Sequence, residues 1–248
     1  MAELSRKILK ITQVYIAWTG YSVGTLILSF WLAWHLSAQF NFLYPVWYSM
    51  LDIEQTVNQT MPKHLYKKEF IVTNQAEHHR LFAEIVASVQ DRGNGLEEIV
   101  FFAPTGEALD VLLTESEVTH LRDVAYLIDL LGWFALMIFI LCLIIFAAII
   151  FFRIRMPATK TLTSILVFTL GILVIGILLY GAKKFFYWLH TVVFPSEHQW
   201  FFYYEESLMS TLMQAPNLFA PICLMLLIIG IAIWVIHLML LRRMMGAK

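Results

Sequence analysis

The sequence predicts an integral membrane protein with an all-α core of four transmembrane helices and a small mixed α/β extracytoplasmic cap. Three observations predict it. Of 248 residues, 60% are hydrophobic and only 14% are charged, against roughly 25% charged in an ordinary globular domain. Four stretches each supply the roughly 20 apolar residues that a bilayer-spanning helix needs. Lys and Arg gather in the short segments that the spans leave on one side. A soluble enzyme of this size could not bury so much apolar side chain and is excluded. A net charge of −1 argues against a basic nucleic-acid-binding surface. The two cysteines, Cys142 and Cys223, lie inside apolar runs, so neither a disulfide framework nor a Cys-rich metal cluster is expected.

The first span closes the segment 1–36, with Ile11–Leu36 as its apolar helix. No Lys, Arg, Asp or Glu occurs between Ile11 and Asp52, and the aromatic stretch to Trp47 reads as an interfacial exit. Basic flanks resemble a signal peptide, but the apolar run is too long and shows no small-residue cleavage site, which makes it an uncleaved anchor. The cap covers residues 37–114. Asn74-Gln75-Ala76-Glu77 is a capping box opening a helix through Gln90, closed by Gly93 and Gly95. Ile99–Phe102 and Leu109–Leu113 read as strands across the turn Ala103-Pro104-Thr105-Gly106. Thr114-Glu115-Ser116-Glu117 is a second capping box, and its helix runs through 115–152 into the second span, Leu130–Phe152. The third span is 161–182. An aromatic loop, 183–217, leads to the fourth span at 218–241, where Pro221 is tolerated in the first turn.

Arg6, Lys7, Lys10, Arg153, Arg155, Lys160, Arg242, Arg243 and Lys248 lie in the termini and the turn between spans two and three, beside one acid, Glu3. Residues 36–123 carry thirteen acids and six basic residues. Basic residues mark the cytoplasmic side. Both termini are therefore expected in the cytoplasm, and the cap and aromatic loop outside.

Glu117, His120 and Asp123 are three apart on the predicted helix and form one drifting stripe. His120 lies four residues before apolar Val124, roughly 6 Å along the axis. An imidazole at the lipid interface with a carboxylate one turn to either side suits a general base. A solvated helix end with a snorkelling histidine fits the same pattern. In the second loop ten of the twenty-two residues 183–204 are aromatic, around His190 and His198. Interfacial belts explain part of this; a pocket for acyl chains, lined by Tyr187, Trp188, Phe194, Trp200, Phe202 and Tyr204, explains it equally well. No Gly-x-Ser-x-Gly elbow, HExxH or Walker loop occurs. His78-His79 are adjacent on a helix and do not share a face, so no metal pair is expected there. Asp129 stands at the edge of a span and is expected to pair with a neighbouring helix or stay protonated. His237 is read as a packing or snorkelling residue.

At the two loops the sequence resembles the bacterial lipoprotein intramolecular transacylase family. The resemblance is carried by the Glu-rich helix start ending in His120-Leu121-Arg122-Asp123-Val124, and by Leu189-His190, Phe194-Pro195 and Trp200-Phe201-Phe202. Order and topology of segments agree over nearly the whole chain. The run departs from the family pattern in having Val193-Phe194 after His190 in place of a Phe-Phe pair, and in carrying His198. The resemblance implies an enzyme of the bacterial inner membrane, without cofactor or metal. Its partners would be a lipid-modified lipoprotein substrate and membrane lipid. It implies transfer of the sn-2 acyl chain of a diacylglyceryl lipoprotein to the lipoprotein's own N-terminal Cys amine. His120 and His190 become the catalytic pair: His120 as base, oriented by Asp123 or Glu117, and His190 as donor to the oxyanion or leaving oxygen, or the two exchanged. His198 is a supporting residue. Two other readings compete. One is a bis-histidine haem electron carrier that also uses His35. The other is a non-catalytic assembly factor.

Overall fold

The computed structural model describes the backbone of residues 2–246, and side-chain surroundings from residue 14 onward except at 159, 161, 162, 165, 166, 169, 173 and 182. The basic side chains Arg6, Lys7, Lys10 and Lys248 fall outside it. The elements in order are α1 (Ala2–Gln39), α2 (Tyr44–Met50), α3 (Ile53–Thr60), α4 (Gln75–Gln90), β1 (Val100–Phe102), β2 (Ala108–Val111), α5 (Glu115–Phe151), α6 (Thr159–Tyr180), α7 (Ala182–Val193), α8 (Leu208–Leu212) and α9 (Phe219–Met244). The chain divides into two compact units.

The first unit comprises Met1–His35, Gly132–Tyr180 and Leu226–Lys248. Among the described residues three helices are long and apolar enough to cross a membrane: Val14–Gln39, Glu115–Phe151 and Phe219–Met244. The expected third span, 161–182, differs. Leu170–Tyr180 and Lys183–Val193 pass the same test only when counted together across a break, which falls at Gly181 with φ +98°. Close packing uses small residues, as in membrane bundles generally. A Cβ on Gly24 would overlap the Cys142 sulfur, and one on Gly230 would come within 2.5 Å of Phe30. Trp18, Tyr21, Cys142, Ile149 and Leu241 form one buried cluster. Trp234 joins Leu26 and Leu238 in another and donates its indole N–H to the Ser22 carbonyl at 2.9 Å. His237 is held by the Tyr21 hydroxyl at 3.1 Å, a packing histidine as its place in the sequence indicated.

The second unit, Leu36–Leu131 and Gly181–Met225, contains the segment expected as a cap. Asn74 caps α4 as expected, accepting from the Glu77 N–H at 3.0 Å. The Glu77 carboxylate does not complete the box. It takes Arg80 (2.6 Å) and the Phe102 N–H (2.7 Å) instead, tying α4 to the hairpin. β1 and β2 pair antiparallel with an irregularity between Phe101 and Phe102, close to the expected strands. The aromatic exit from the first span becomes α2, whose Tyr44 stacks on Phe82 at 3.9 Å and donates to the Leu212 carbonyl at 2.7 Å. Lys67, nearly buried, donates to the carbonyls of Val111 and Leu112 at the end of β2. Asp129 pairs with Arg92 in the turn after α4 at 2.9 Å, and Arg122 pairs with Glu97 at 2.8 Å. Expected as a loop, 183–217 contains two helices, α7 and α8.

His78 is the polar centre of the cap core. Its ring stacks on Phe70. Thr73 donates its hydroxyl to the Phe70 carbonyl at 2.7 Å, so the His78 Nε2–H donates to Thr73 (2.7 Å). Nδ1 then accepts from the Tyr48 hydroxyl (2.8 Å). The neutral ring satisfies both bonds, and burial holds its pKa down to about 4. The folded state therefore binds the proton less well than the unfolded chain, with its ordinary value of 6.5. The stabilisation is complete above 6.5 and is lost as pH falls from there toward 4. Thermal unfolding of the purified protein is expected to move to lower temperature across this window. In a His78→Gln variant that slope should flatten.

Candidate active site

The site is built where α5 starts. Thr114 and Glu117 cap each other: the Thr114 N–H and hydroxyl donate to Glu117 Oε2 at 2.6 and 2.8 Å, and the Glu117 N–H reaches back to Thr114 at 3.4 Å. The other carboxylate oxygen, Oε1, accepts from the Ser207 hydroxyl at 2.5 Å. Ser207 in turn caps α8, accepting from the Ser210 N–H at 2.9 Å. Glu117 is only 1% exposed, yet three donors satisfy it. Its bonds run to Thr114 and Ser207, making it a strut between the first turn of α5 and α8.

One turn further along α5, His120 is buried. Its ring meets Phe194 edge-on at 4.9 Å between centroids, Phe202 at 6.0 Å and His190 at 6.1 Å. The two histidines singled out in the sequence are thus brought together. His190 stands on α7. Its Nδ1–H donates to the Phe186 carbonyl one turn back at 2.7 Å, since a carbonyl oxygen can only accept. That bond fixes the tautomer and leaves Nε2 as an acceptor. The His190 ring also packs on Phe186 (4.0 Å), Phe194 (5.2 Å) and Trp200 (5.1 Å). Among the described residues the buried His120 Nδ1 has no hydrogen-bond partner.

His120 precedes the uncharged run Leu130–Phe152 and is buried; His190 follows the break at Gly181 and is half-buried. Burial pushes His120 down to about 4; the neighbouring His190 acts in the same direction and Asp123 opposes it. Burial also lowers His190, with the Phe186 carbonyl opposing. Near neutral pH both imidazoles are uncharged. Each can accept a proton as a bond forms or donate a hydrogen bond from its N–H.

The remaining expected residues fall into groups. Phe194, Trp200 and Phe202 wall the pair directly. Tyr187 stands one layer out, against Trp200 at 5.8 Å and Phe201 at 5.9 Å, beneath the Lys183 ammonium. Trp188 is 48% exposed and packs on Phe185. Tyr204 donates to the Ala215 carbonyl at 2.7 Å, a bond that shapes the turn after α8. Asp123 accepts from His198 Nδ1 at 2.7 Å. Phe186 is the residue that sequence reasoning missed. Reading 183–217 as helix would have exposed its i, i+4 relation to His190. Among the described residues no group of three or more His, Cys, Asp or Glu is placed to hold a metal.

The family model for the lipoprotein intramolecular transacylase Lit matches residues 19–215. Two solved structures of the membrane-integral lipoprotein intramolecular transacylase Lit from Bacillus cereus resemble the chain. In one a histidine is replaced by arginine, in the other by alanine. TM-scores are 0.65 and 0.64, sequence identity is 14% for each, and the alignments cover 98% of this chain and 96% of the other. No curated protein matches the chain by sequence.

The Glu117 strut generates a stability prediction. Ser207→Ala removes the donor to a buried carboxylate oxygen and the cap of α8 together. The expected loss is about 1–3 kcal/mol, or several degrees in Tm, read by thermal unfolding in detergent. A Tm equal to the wild type would show that the strut contributes nothing.

Proposed function

The chain belongs to the lipoprotein intramolecular transacylase family and is a membrane transacylase of lipoprotein processing; we propose that it moves the sn-2 acyl chain of a diacylglyceryl lipoprotein to that lipoprotein's own N-terminal Cys amine, with His190 as general base and His120 as hydrogen-bond donor. The observation that carries the reading is the pair of neutral imidazoles, 6.1 Å apart between centroids, inside a wall of Phe194, Trp200 and Phe202.

The amine nitrogen attacks the sn-2 carbonyl carbon, and charge develops on the carbonyl oxygen. A neutral imidazole N–H of His120 is a suitable donor to that oxygen. As the N–C bond forms, the attached N–H becomes strongly acidic, and His190 Nε2 takes its proton. Collapse breaks the ester C–O bond. The proton returns from His190 to the sn-2 oxygen, leaving an amide and a free hydroxyl, the lyso-form. The acyl chain changes partner within one molecule, and no cofactor enters the balance. The assignment of base to His190 is supported by its locked tautomer. His120, with its pKa near 4, is the poorer proton acceptor and is left as the N–H donor. A free amine has an ordinary pKa of about 7.7–8.0. The same dry surroundings that lower the imidazoles disfavour its ammonium form and assist the attack.

Four apolar stretches support four spans, the third ending at the break at Gly181, and the family resemblance supports the bacterial inner membrane; the charge distribution along the chain supports the orientation. Both termini would be cytoplasmic, with the cap and the histidine pair on the extracytoplasmic side. Membrane lipid surrounds the spans, and nucleic acid has no part. Membership of this family does not favour the haem-carrier or assembly-factor readings.

Single His120→Ala and His190→Ala variants are expected to lose about 10²–10⁴-fold in product formation, read by mass spectrometry of lipoprotein N-termini. The two losses should respond differently to pH. Without a base, the His190→Ala loss narrows as pH rises and hydroxide replaces the imidazole. Loss of a dipole in His120→Ala stays constant. Full lyso-product from either variant removes that residue from the mechanism.

A further inference from the structure

The aromatic segment that walls the two histidines is folded by bonds of its own that do not fix where it lies against α5. His198 N–H closes a turn on the Pro195 carbonyl at 3.2 Å. Gln199 Nε2 donates to the Phe201 carbonyl at 3.0 Å, and Ser196 donates to Glu197. The polar tie between this segment and α5 is the His198 Nδ1–H bond to Asp123 Oδ2, at 2.7 Å. Asp123 follows His120 by three residues, one helical turn. Phe194 lies on one side of His198 in sequence, at 4.9 Å from His120 and 5.2 Å from His190. Trp200 and Phe202 lie on the other, at 5.1 Å from His190 and 6.0 Å from His120. A single bond in the middle of the segment therefore sets the register of three rings against both imidazoles.

We propose that Asp123 and His198 form a clamp that seats the Phe194–Phe202 segment on the His120–His190 pair, making both of them positioning residues for acyl transfer. The proposal rests on the reading that this pair does the proton work. Fully exposed ion pairs contribute about 0–1 kcal/mol. This one has side chains 36% and 20% exposed, and a carboxylate acceptor makes a stronger bond than a neutral one. Its leverage lies in geometry more than in stability, because misplacing a reacting group by about 1 Å can cost as much as 10²-fold in rate. Glu117, which stands on the other side of His120 on the same helix, is occupied by Thr114 and Ser207. Asp123 is thus the carboxylate of the stripe that reaches the aromatic segment.

The test uses the full-length protein in nanodiscs with a diacylglyceryl lipopeptide, comparing wild type, His198→Ala, His198→Asn, Asp123→Ala and the double variant Asp123→Ala/His198→Ala. An Asn amide nitrogen occupies nearly the place of Nδ1 and keeps the donor. His198→Ala is expected to lower kcat by about 10-fold or more, with KM changed much less, and His198→Asn to recover most of that loss. The double variant should be no slower than either single one, because both remove the same bond. A His198→Ala enzyme within about 2-fold of wild type overturns the clamp. So does an Asn variant as slow as Ala, or single losses that multiply in the double variant. His120→Ala and His190→Ala run alongside. If these remain fully active, the two-histidine reading fails by itself, whatever the clamp variants do.

Discussion

A carboxylate buried in the first turn of α5 is the constraint on which the site depends. Leaving an ion such as Glu117 without partners would cost several kcal/mol. Its burial is tolerable only because Thr114 supplies two donors and Ser207 a third. One partner is local, three residues back at the end of the hairpin, and the other lies ninety residues on at the start of α8. Satisfying Glu117 therefore draws two distant pieces of chain together one turn ahead of His120. The helix is fixed in rotation and register at the point where it must present an imidazole.

A second consequence of burial is chemical. Phe194, Trp200, Phe202 and Phe186 surround the two imidazoles and hold both below their usual titration range. In water, imidazole would be partly protonated near neutral pH and strongly hydrated. Here each ring stays neutral, with its nitrogen directions governed by one hydrogen bond or by none. His190 has lost the freedom to choose a tautomer, while His120 keeps a buried nitrogen that the protein itself does not satisfy. An unsatisfied buried nitrogen is a cost in a resting protein. It is useful where an ester carbonyl is to be the missing partner.

Much of this architecture was legible in the sequence. Hydropathy marked three helices of membrane-spanning length, and Asn74 and Thr114 stood at true helix starts, though only Glu117 closes its box. The pairing of His120 with His190 followed from the family resemblance, because no spacing rule connects residues seventy apart. The missed features have physical reasons. The run Lys183–Val193 has no side-chain cap at its start, and its aromatic density resembles an interfacial belt, so its helical period was hidden. With α7 read as a loop, Phe186 could not be recognised as the acceptor for His190. The stripe Glu117, His120 and Asp123 was correct as a stripe, but three-residue steps drift around the helix. Glu117 and Asp123 diverge from His120 on opposite sides and meet Ser207 and His198. Carboxylates next to a histidine in sequence need not be its partners in space.

The economy of the site follows from the reaction it serves. When donor ester and acceptor amine belong to one molecule, no second substrate has to be bound and oriented. Effective molarities for well-oriented intramolecular attack reach about 10⁵–10⁸ M. What remains for the protein is to bend one flexible lipid headgroup, keep water from competing for the acyl carbon, and pass one proton from nitrogen to oxygen. Bending and drying need walls. The proton needs one acceptor of fixed orientation and one donor beside it. In the proposed mechanism, rings on α7 and the segment after it would supply the first, and two imidazoles on two helices the second. An acyl-enzyme nucleophile would add a further transfer step to chemistry that already has its nucleophile in place.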